Sequence, residues 1–151
     1  MNLQAGRITV LTSIEYGGVG KTFFLDCLKA LFQAAEWQEI SGVRCKEHTD
    51  SKPMAVPSLK KVKKSRPNIK LFIIDNAEFV DNLQELEAIR AAGIACVVSS
   101  RPLFGFDERH NYLCQIADTV LEFEPISKQD RPYRKINVLK SIEKIGAQCG
   151  K

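Results

Sequence analysis

The strongest constraint on the fold is a glycine-rich stretch, residues 16–22, that separates an apolar run from a segment with helical periodicity. The apolar run is Ile8 to Leu11, and the periodic segment begins at Phe23. A buried strand, a glycine-rich turn and a helix in this order predict a phosphate-binding loop. The backbone N–H groups of such a turn and the positive end of the helix point at the same anion.

The backbone of the loop and the first side chains of the helix are expected to bind the phosphates and their metal ion together. Lys21 would reach the terminal phosphates and take part in catalysis, and the Thr22 hydroxyl would ligate Mg²⁺. The predicted nucleotide-binding residues are Gly17, Gly18, Val19, Gly20, Lys21 and Thr22. The standard pattern has a glycine where this chain has Glu15, and a carboxylate there is unfavourable unless it points away or pairs with a cation. A chance Gly-Lys-Thr in an ordinary turn is the alternative, and the order of elements argues against it.

Length and composition predict one domain over residues 1–151. The chain is 44% hydrophobic with a net charge of +4, which is ordinary for a soluble globular protein. No apolar run is long enough to span a bilayer, and the first residues lack the apolar core of a signal peptide. Five scattered cysteines predict free thiols, with Cys27 and Cys96 buried. We therefore expect a cytoplasmic protein without membrane contact.

Hydrophobic patterning predicts alternating strands and helices. Strands are expected at residues 6–11, 37–43, 69–75, 94–98, 119–123 and 133–139. Helices are expected at residues 22–35, 81–92 and 112–117, the first with Leu25, Leu28, Leu31 and Ala35 inward. The last two strands predict an antiparallel hairpin. The whole pattern indicates an α/β fold, a three-layer sandwich with a mostly parallel central sheet.

Two strand ends are expected to complete the phosphate site. Asp75 ends the most apolar strand, and ligands bind at the carboxyl ends of strands in parallel sheets. Its carboxylate would hold Mg²⁺ through water and hydrogen-bond Thr22. Ser99 and Ser100 end another apolar strand and are candidate sensors of the γ-phosphate, although an ordinary strand exit explains them equally well. Arg101 could lie near this site or serve a neighbouring subunit.

A proline-punctuated segment, residues 51–68, carries a basic run around a short helix or loop expected between Ser58 and Ser65. Such a run indicates either a solvated face or a contact with nucleic-acid phosphates. Aromatic residues are not interleaved, so stacking on bases is not expected. A nucleic-acid contact would use Lys60, Lys61, Lys63, Lys64 and Arg66.

Three segments together resemble the RecA/KaiC-like branch of P-loop ATPases. They are GRITVLTSIEYGGVGKTFFLDCLKAL, LFIIDNAEF, and IADTVLEFE followed by YRKINVLKS. They are similar to the opening strand, loop and helix, the Walker B strand and the closing strand pair of that family. The resemblance implies a P-loop NTPase fold with the loop strand central, ATP with Mg²⁺, and assembly into a homo-oligomer or larger complex. By position, Lys21, Thr22 and Asp75 would bind phosphate and metal.

At the position where that family often has its general base, this chain departs from the family pattern. Related ATPases often have a glutamate directly after the Walker B aspartate, where this chain has Asn76, and an amide cannot take a proton from water. RecA-like proteins often place the base after the second strand, which makes Glu39 and above all Glu47 candidates, and Glu78 is a further acid. For Glu39 and Glu47, however, a solvated side chain is the better explanation.

Weaker resemblances leave other functions open. IIDNAEF is similar to bacterial thymidine kinases, but their cysteine-rich zinc segment is missing, and YGGVGKT is similar to ParA-like ATPases, but Tyr16 replaces their signature lysine. The main hypothesis is a hydrolase with weak or partner-dependent ATPase activity in a nucleic-acid or assembly process. The alternatives are a nucleotide-binding regulatory module without hydrolysis and a small-molecule, nucleoside-kinase-like enzyme.

Overall fold

In the computed structural model, one six-stranded sheet carries helices on both faces. The structure describes residues 5–13, 21–42, 54–102, 107–125 and 134–141. The strands are β1 Ile8–Thr12, β2 Trp37–Ser41, β3 Leu71–Asp75, β4 Ala95–Ser99, β5 Thr119–Pro125 and β6 Arg134–Ser141. The helices are α1 Lys21–Lys29, α2 Leu59–Ser65, α3 Glu85–Ala91 and α4 Asp107–Ile116, with 3-10 turns at Ala34–Glu36 and Ala77–Phe79.

The strand order is β2-β3-β4-β1-β5-β6, and every neighbouring pair is parallel except β5 and β6. The strand before the glycine-rich stretch therefore lies inside the sheet, between β4 and β5, and the closing pair is antiparallel. Both features, and the α/β class with a mostly parallel sheet, confirm the sequence prediction. The carboxyl ends of β1, β3 and β4 meet at one edge, where ligands bind in such sheets.

The core consists of two apolar layers, one on each face of the sheet. Helices α2, α3 and α4 cover one face through side chains that include Val62, Leu86 and Leu113. Helix α1 covers the other face through Leu25 and Leu28. Strands β1, β3 and β4 are buried at every residue because both faces are covered.

The first helix is shorter than the periodicity predicted. Helix α1 ends at Lys29, and Leu31, predicted inward, is 76% exposed. Ala35, also predicted inward, is exposed in the 3-10 turn that leads into β2. The chain must reverse between α1 and β2 within a short connection, and this overrides the helical pattern. Cys27 is exposed, contrary to prediction, whereas Cys96 is buried as expected.

The remaining elements follow the prediction with shifted ends. The weak second strand is present and ends at Ser41, just before Gly42. Helix α3 begins later than predicted because Asp81 forms a β-bridge with Ala55 and Asn82 has a φ of 57°. Helix α4 is longer than predicted. Within the described ranges, no helix combines the length and the apolar character needed to cross a membrane.

Candidate functional site

The predicted metal-binding pair meets at the carboxyl edge of the sheet. Thr22 lies in the first turn of α1 and Asp75 ends β3. The hydroxyl Oγ1 of Thr22 donates a hydrogen bond to Oδ2 of Asp75 at 3.4 Å. Asp75 is 9% exposed, whereas Thr22 is exposed. The carboxylate is thus held in place while its hydroxyl partner faces the space outside the sheet.

Ser99 fixes the other oxygen of Asp75. Its hydroxyl donates to Oδ1 of Asp75 and accepts a hydrogen bond from the backbone N–H of Asn76 at 2.9 Å. Ser99 ends β4, the neighbour of β3, and is 1% exposed. Its hydroxyl therefore positions the carboxylate, while the predicted role as a phosphate sensor stays a prediction.

Ser100 faces a different neighbour. Its hydroxyl forms a hydrogen bond with Nδ1 of His110 on α4 at 3.0 Å. Its backbone N–H donates to the carbonyl of Leu11 on β1 at 2.9 Å. The residue thus joins α4 to the strand that precedes the glycine-rich stretch, and its predicted sensor role also stays a prediction.

Three charged side chains from separate parts of the chain gather beside the Thr22–Asp75 pair. Nε of Arg101, just after β4, lies 3.4 Å from Oε1 of Glu78 in the 3-10 turn after β3. Glu78 is 1% exposed, and its carboxylate oxygens have no partner with full hydrogen-bond geometry within the described ranges. Lys21, the first residue of α1, is close enough to both for their charges to act on its pKa.

The electrostatics of this cluster follow from burial. Burial lowers the pKa of Lys21, and the positive charge of Arg101 lowers it further, while Glu78 and Asp75 raise it. Burial raises the pKa of Glu78, and nearby backbone amides, Lys21 and Arg101 offset only part of that rise. The cluster was not predicted as a unit, since no sequence spacing connects its members. Two sequence signals could have indicated the cluster: Glu78 is an acid three residues after Asp75, and Arg101 is an arginine just after the end of a strand.

The residues considered for the role of general base lie in different parts of the chain. Glu39 lies in the middle of β2, where its Oε2 is 2.5 Å from Nζ of Lys29, so the structure uses it to join β2 to α1. Asn76 follows Asp75 with a left-handed φ of 55°, a conformation that asparagine tolerates. Glu47 lies outside the described residues, as do Glu15 and the loop residues 17–20, and their predicted roles stay predictions.

Mg²⁺ is the ion that the sequence implies, and the side chains present fit it. One hydroxyl and one carboxylate, at 3.4 Å from each other, are the donor set for an ion that keeps several waters and binds substrate phosphates. Across the described ranges, no group of three or more His, Cys, Asp and Glu side chains could hold a metal. Thr22 and Asp75 thus fit an ion shared with a phosphate rather than a dedicated protein cage.

The basic run forms helix α2, which begins after Ser58. The Ser58 hydroxyl accepts a hydrogen bond from the backbone N–H of Lys61 at 3.3 Å, and Val62 is buried against the core. Exposed lysines on this helix are Lys60, Lys61, Lys63 and Lys64. Arg66 differs, because it is half-buried and donates to the carbonyl of Ala34 at 2.7 Å.

The fold defined by this sheet and its helices is RecA-like. The chain is similar to the crystal structure of flagellar accessory protein FlaH from Methanocaldococcus jannaschii, with a TM-score of 0.61. The sequence identity is 14%, and the match covers 92% of this chain and 80% of that chain. At this identity the similarity concerns the fold alone. No protein-family model matches the chain, and no curated protein matches it.

Proposed function

We propose that this protein binds ATP with Mg²⁺ and hydrolyses it slowly or only with a partner. One observation carries the proposal: Thr22, Asp75 and Ser99 form a continuous hydrogen-bonded chain at the carboxyl edge of the sheet. This hydrogen-bonded chain begins at Thr22, the last residue of the glycine-rich stretch, which directly follows Lys21. It provides a carboxylate with a fixed orientation where a metal-bound triphosphate is expected to bind.

Each side chain of the site has a defined role in this proposal. Lys21 binds the terminal phosphates, and the burial that lowers its pKa also strengthens its attraction to an anion. Thr22 and Asp75 hold the Mg²⁺, which neutralises charge on the phosphates when it is bound. Ser99 keeps Asp75 in the orientation that binds the ion.

Slow turnover follows from the groups that face this site. Asn76 occupies the position where related ATPases have a carboxylate, and an amide does not accept a proton from water. Glu78 is a carboxylate near Lys21, but it is buried and ion-paired with Arg101. Glu47 is the base that we propose from the sequence, and a partner that supplies a carboxylate to this site would raise the rate.

A nucleotide-binding regulatory module without hydrolysis is the second candidate, and Asn76 favours it. Phosphate release at saturating ATP separates the two. For a hydrolase, the wild type releases phosphate above the background rate and Lys21→Ala does not. Binding without release, in the presence and absence of nucleic acid, would contradict the hydrolase and support the module. Lys135→Ala is the matched control, because Lys135 is an exposed lysine on β6.

Nucleic acid is the partner that we propose for helix α2. Its four exposed lysines lie on a short segment, so together they can neutralise several phosphates. Replacing Lys60, Lys61, Lys63 and Lys64 by glutamine is expected to weaken binding to DNA or RNA and to reduce its dependence on salt. Unchanged binding or salt dependence in this variant would remove α2 as a nucleic-acid surface. Lys135→Gln serves as the control for charge alone.

A further inference from the structure

A cleft that the proposed function does not use lies between helix α4 and the segment 80–84, which leads from the turn after β3 into α3. Its volume is about 270 Å³. Val80 and Leu83, both buried, and the half-buried Tyr112 contribute apolar surface to it. Exposed polar side chains also line the cleft, namely Asn82, Gln84 and Glu108. An apolar base with a few polar groups is the usual composition of a small-molecule site.

Hydrogen bonds hold both walls of this cleft in place. The backbone N–H of Asp81 donates to the carbonyl of Met54 at 2.8 Å, and its carbonyl accepts from the N–H of Val56 at 2.9 Å. On α4, Nη2 of Arg109 donates to the carboxylate of Asp81, and Nη1 donates to the carbonyl of Glu78 at 3.4 Å. The segment is thus tied to α4 on one side and to the chain before α2 on the other. A ligand would enter a preformed cleft, which lowers the cost of ordering it.

The charges that line the cleft favour a cation. Two carboxylates, Asp81 and Glu108, and one guanidinium, Arg109, give the lining a net negative charge of one. Asp81 and Arg109 are ion-paired with each other, so the uncompensated charge is that of Glu108. Glu108 and Tyr112 are four residues apart on α4 and therefore lie on the same side of the helix. An ammonium group can thus contact the carboxylate while the apolar part of the same molecule contacts the tyrosine.

We propose that this cleft binds a small organic amine, with its ammonium group at Glu108 and its apolar body on Val80, Leu83 and Tyr112. The volume lies below the range of about 300–1,000 Å³ that is typical of sites for drug-sized molecules, so the ligand is compact. The negative lining disfavours a nucleotide or another anion. This site goes beyond the proposed function and does not depend on it, because Lys21, Thr22 and Asp75 do not line the cleft.

The test uses three probes that share a phenyl ring and differ in charge. Phenethylamine is a cation at neutral pH, phenethyl alcohol is uncharged and hydrocinnamate is an anion. Each is titrated into the full chain while the backbone amide signals are followed by NMR. Phenethylamine is expected to shift the amides of residues 80–84 and 108–112 saturably, with a dissociation constant on the order of 1 mM, as its small size allows. The alcohol should bind about threefold more weakly, and hydrocinnamate more weakly still.

Two substitutions in the cleft are expected to act in opposite directions. Glu108→Gln removes an exposed carboxylate and should weaken phenethylamine binding by about threefold while leaving the alcohol unchanged. Arg109→Gln removes the cation that compensates Asp81 and should strengthen phenethylamine binding by a similar factor. Asp26→Asn is the matched control, because Asp26 is an exposed, ion-paired carboxylate on α1, which covers the other face of the sheet. This control should bind all three probes as the wild type does.

Several results would overturn the amine site. Equal binding of the three probes, or preference for hydrocinnamate, would show that the ligand class is wrong. Shifts that do not saturate, or that fall on residues 21–24 and 75–78 instead of the cleft, would show that the place is wrong. Equal weakening by Glu108→Gln and Asp26→Asn would mean that only the overall charge matters. Lys21→Ala should bind phenethylamine normally, so a failure of ATP binding and a failure of the amine site are distinguishable.

Discussion

At the scale of single residues, the site depends on a carboxylate whose two oxygens have different partners. Asp75 accepts from Ser99 on one oxygen and from Thr22 on the other. The sequence could predict Asp75, because an acid at the end of an apolar run is a local pattern. It could not predict the grouping of Lys21, Glu78 and Arg101, which depends on strand order and on a turn that buries Glu78.

Asp75→Asn is expected to separate metal binding from nucleotide binding. The amide oxygen can still accept hydrogen bonds, but the loss of the negative charge weakens the attraction for Mg²⁺. In the wild type, ATP affinity should rise clearly when Mg²⁺ replaces a chelator in the titration, and in Asp75→Asn this rise should be reduced by about tenfold. An identical response to Mg²⁺ in both proteins would show that Asp75 does not support the ion.

At the scale of elements, the turn after β3 is held by the end of β2. The backbone N–H of Gly42 donates to the carbonyl of Asp75 at 2.8 Å. A Cβ atom at Gly42 would lie 2.3 Å from the carbonyl oxygen of Asn76 and 3.0 Å from Cβ of Phe79. The glycine therefore permits the close approach that places Asp75 and Glu78. Sequence patterning predicted a strand interrupted at Gly42, but the partner that requires the glycine is distant in the chain.

Gly42→Ala is expected to lower the free energy of unfolding by about 2 kcal/mol and to weaken ATP binding, because the backbone of the site turn must move. Gly93→Ala is the matched control. Gly93 has a φ of 85°, and a Cβ atom there would meet none of the described residues within 4 Å, so alanine costs only backbone strain. That strain is about 1–2 kcal/mol. Urea unfolding and ATP titration of both variants test this, and normal ATP binding by Gly42→Ala would contradict the role of the turn.

At the scale of the whole molecule, sequence patterning predicts the fold class well and the element ends less well. The apolar runs of β1, β3 and β4 identify a parallel sheet because both faces are covered. The end of α1 at Lys29 was not predictable from periodicity, since the reversal into β2 and the pairing of Lys29 with Glu39 depend on tertiary contacts. Assembly into an oligomer or larger complex stays a prediction.

The free energy of unfolding is expected to depend on pH because the carboxyl group of Glu78 is buried. Burial raises the pKa of Glu78 above its ordinary value of 4.5, so between 4.5 and the raised pKa the folded chain binds more protons than the unfolded chain. The contribution of this carboxyl to stability therefore increases as pH falls through that interval. From pH 7 to pH 5, the free energy of unfolding of the wild type should rise relative to that of Glu78→Gln in urea titrations. A relative decrease would show that the ion pair with Arg101 outweighs burial.

The central claim is that the edge of the sheet at Lys21, Thr22 and Asp75 binds a metal-bound triphosphate. Calorimetric titration of ATP with Mg²⁺ into the wild type, Lys21→Ala and Lys135→Ala tests it most directly. We expect saturable binding by the wild type and Lys135→Ala, and an affinity at least about tenfold weaker for Lys21→Ala, the loss of one phosphate contact. Equal affinities in all three proteins, or no saturable binding by the wild type, would contradict the account.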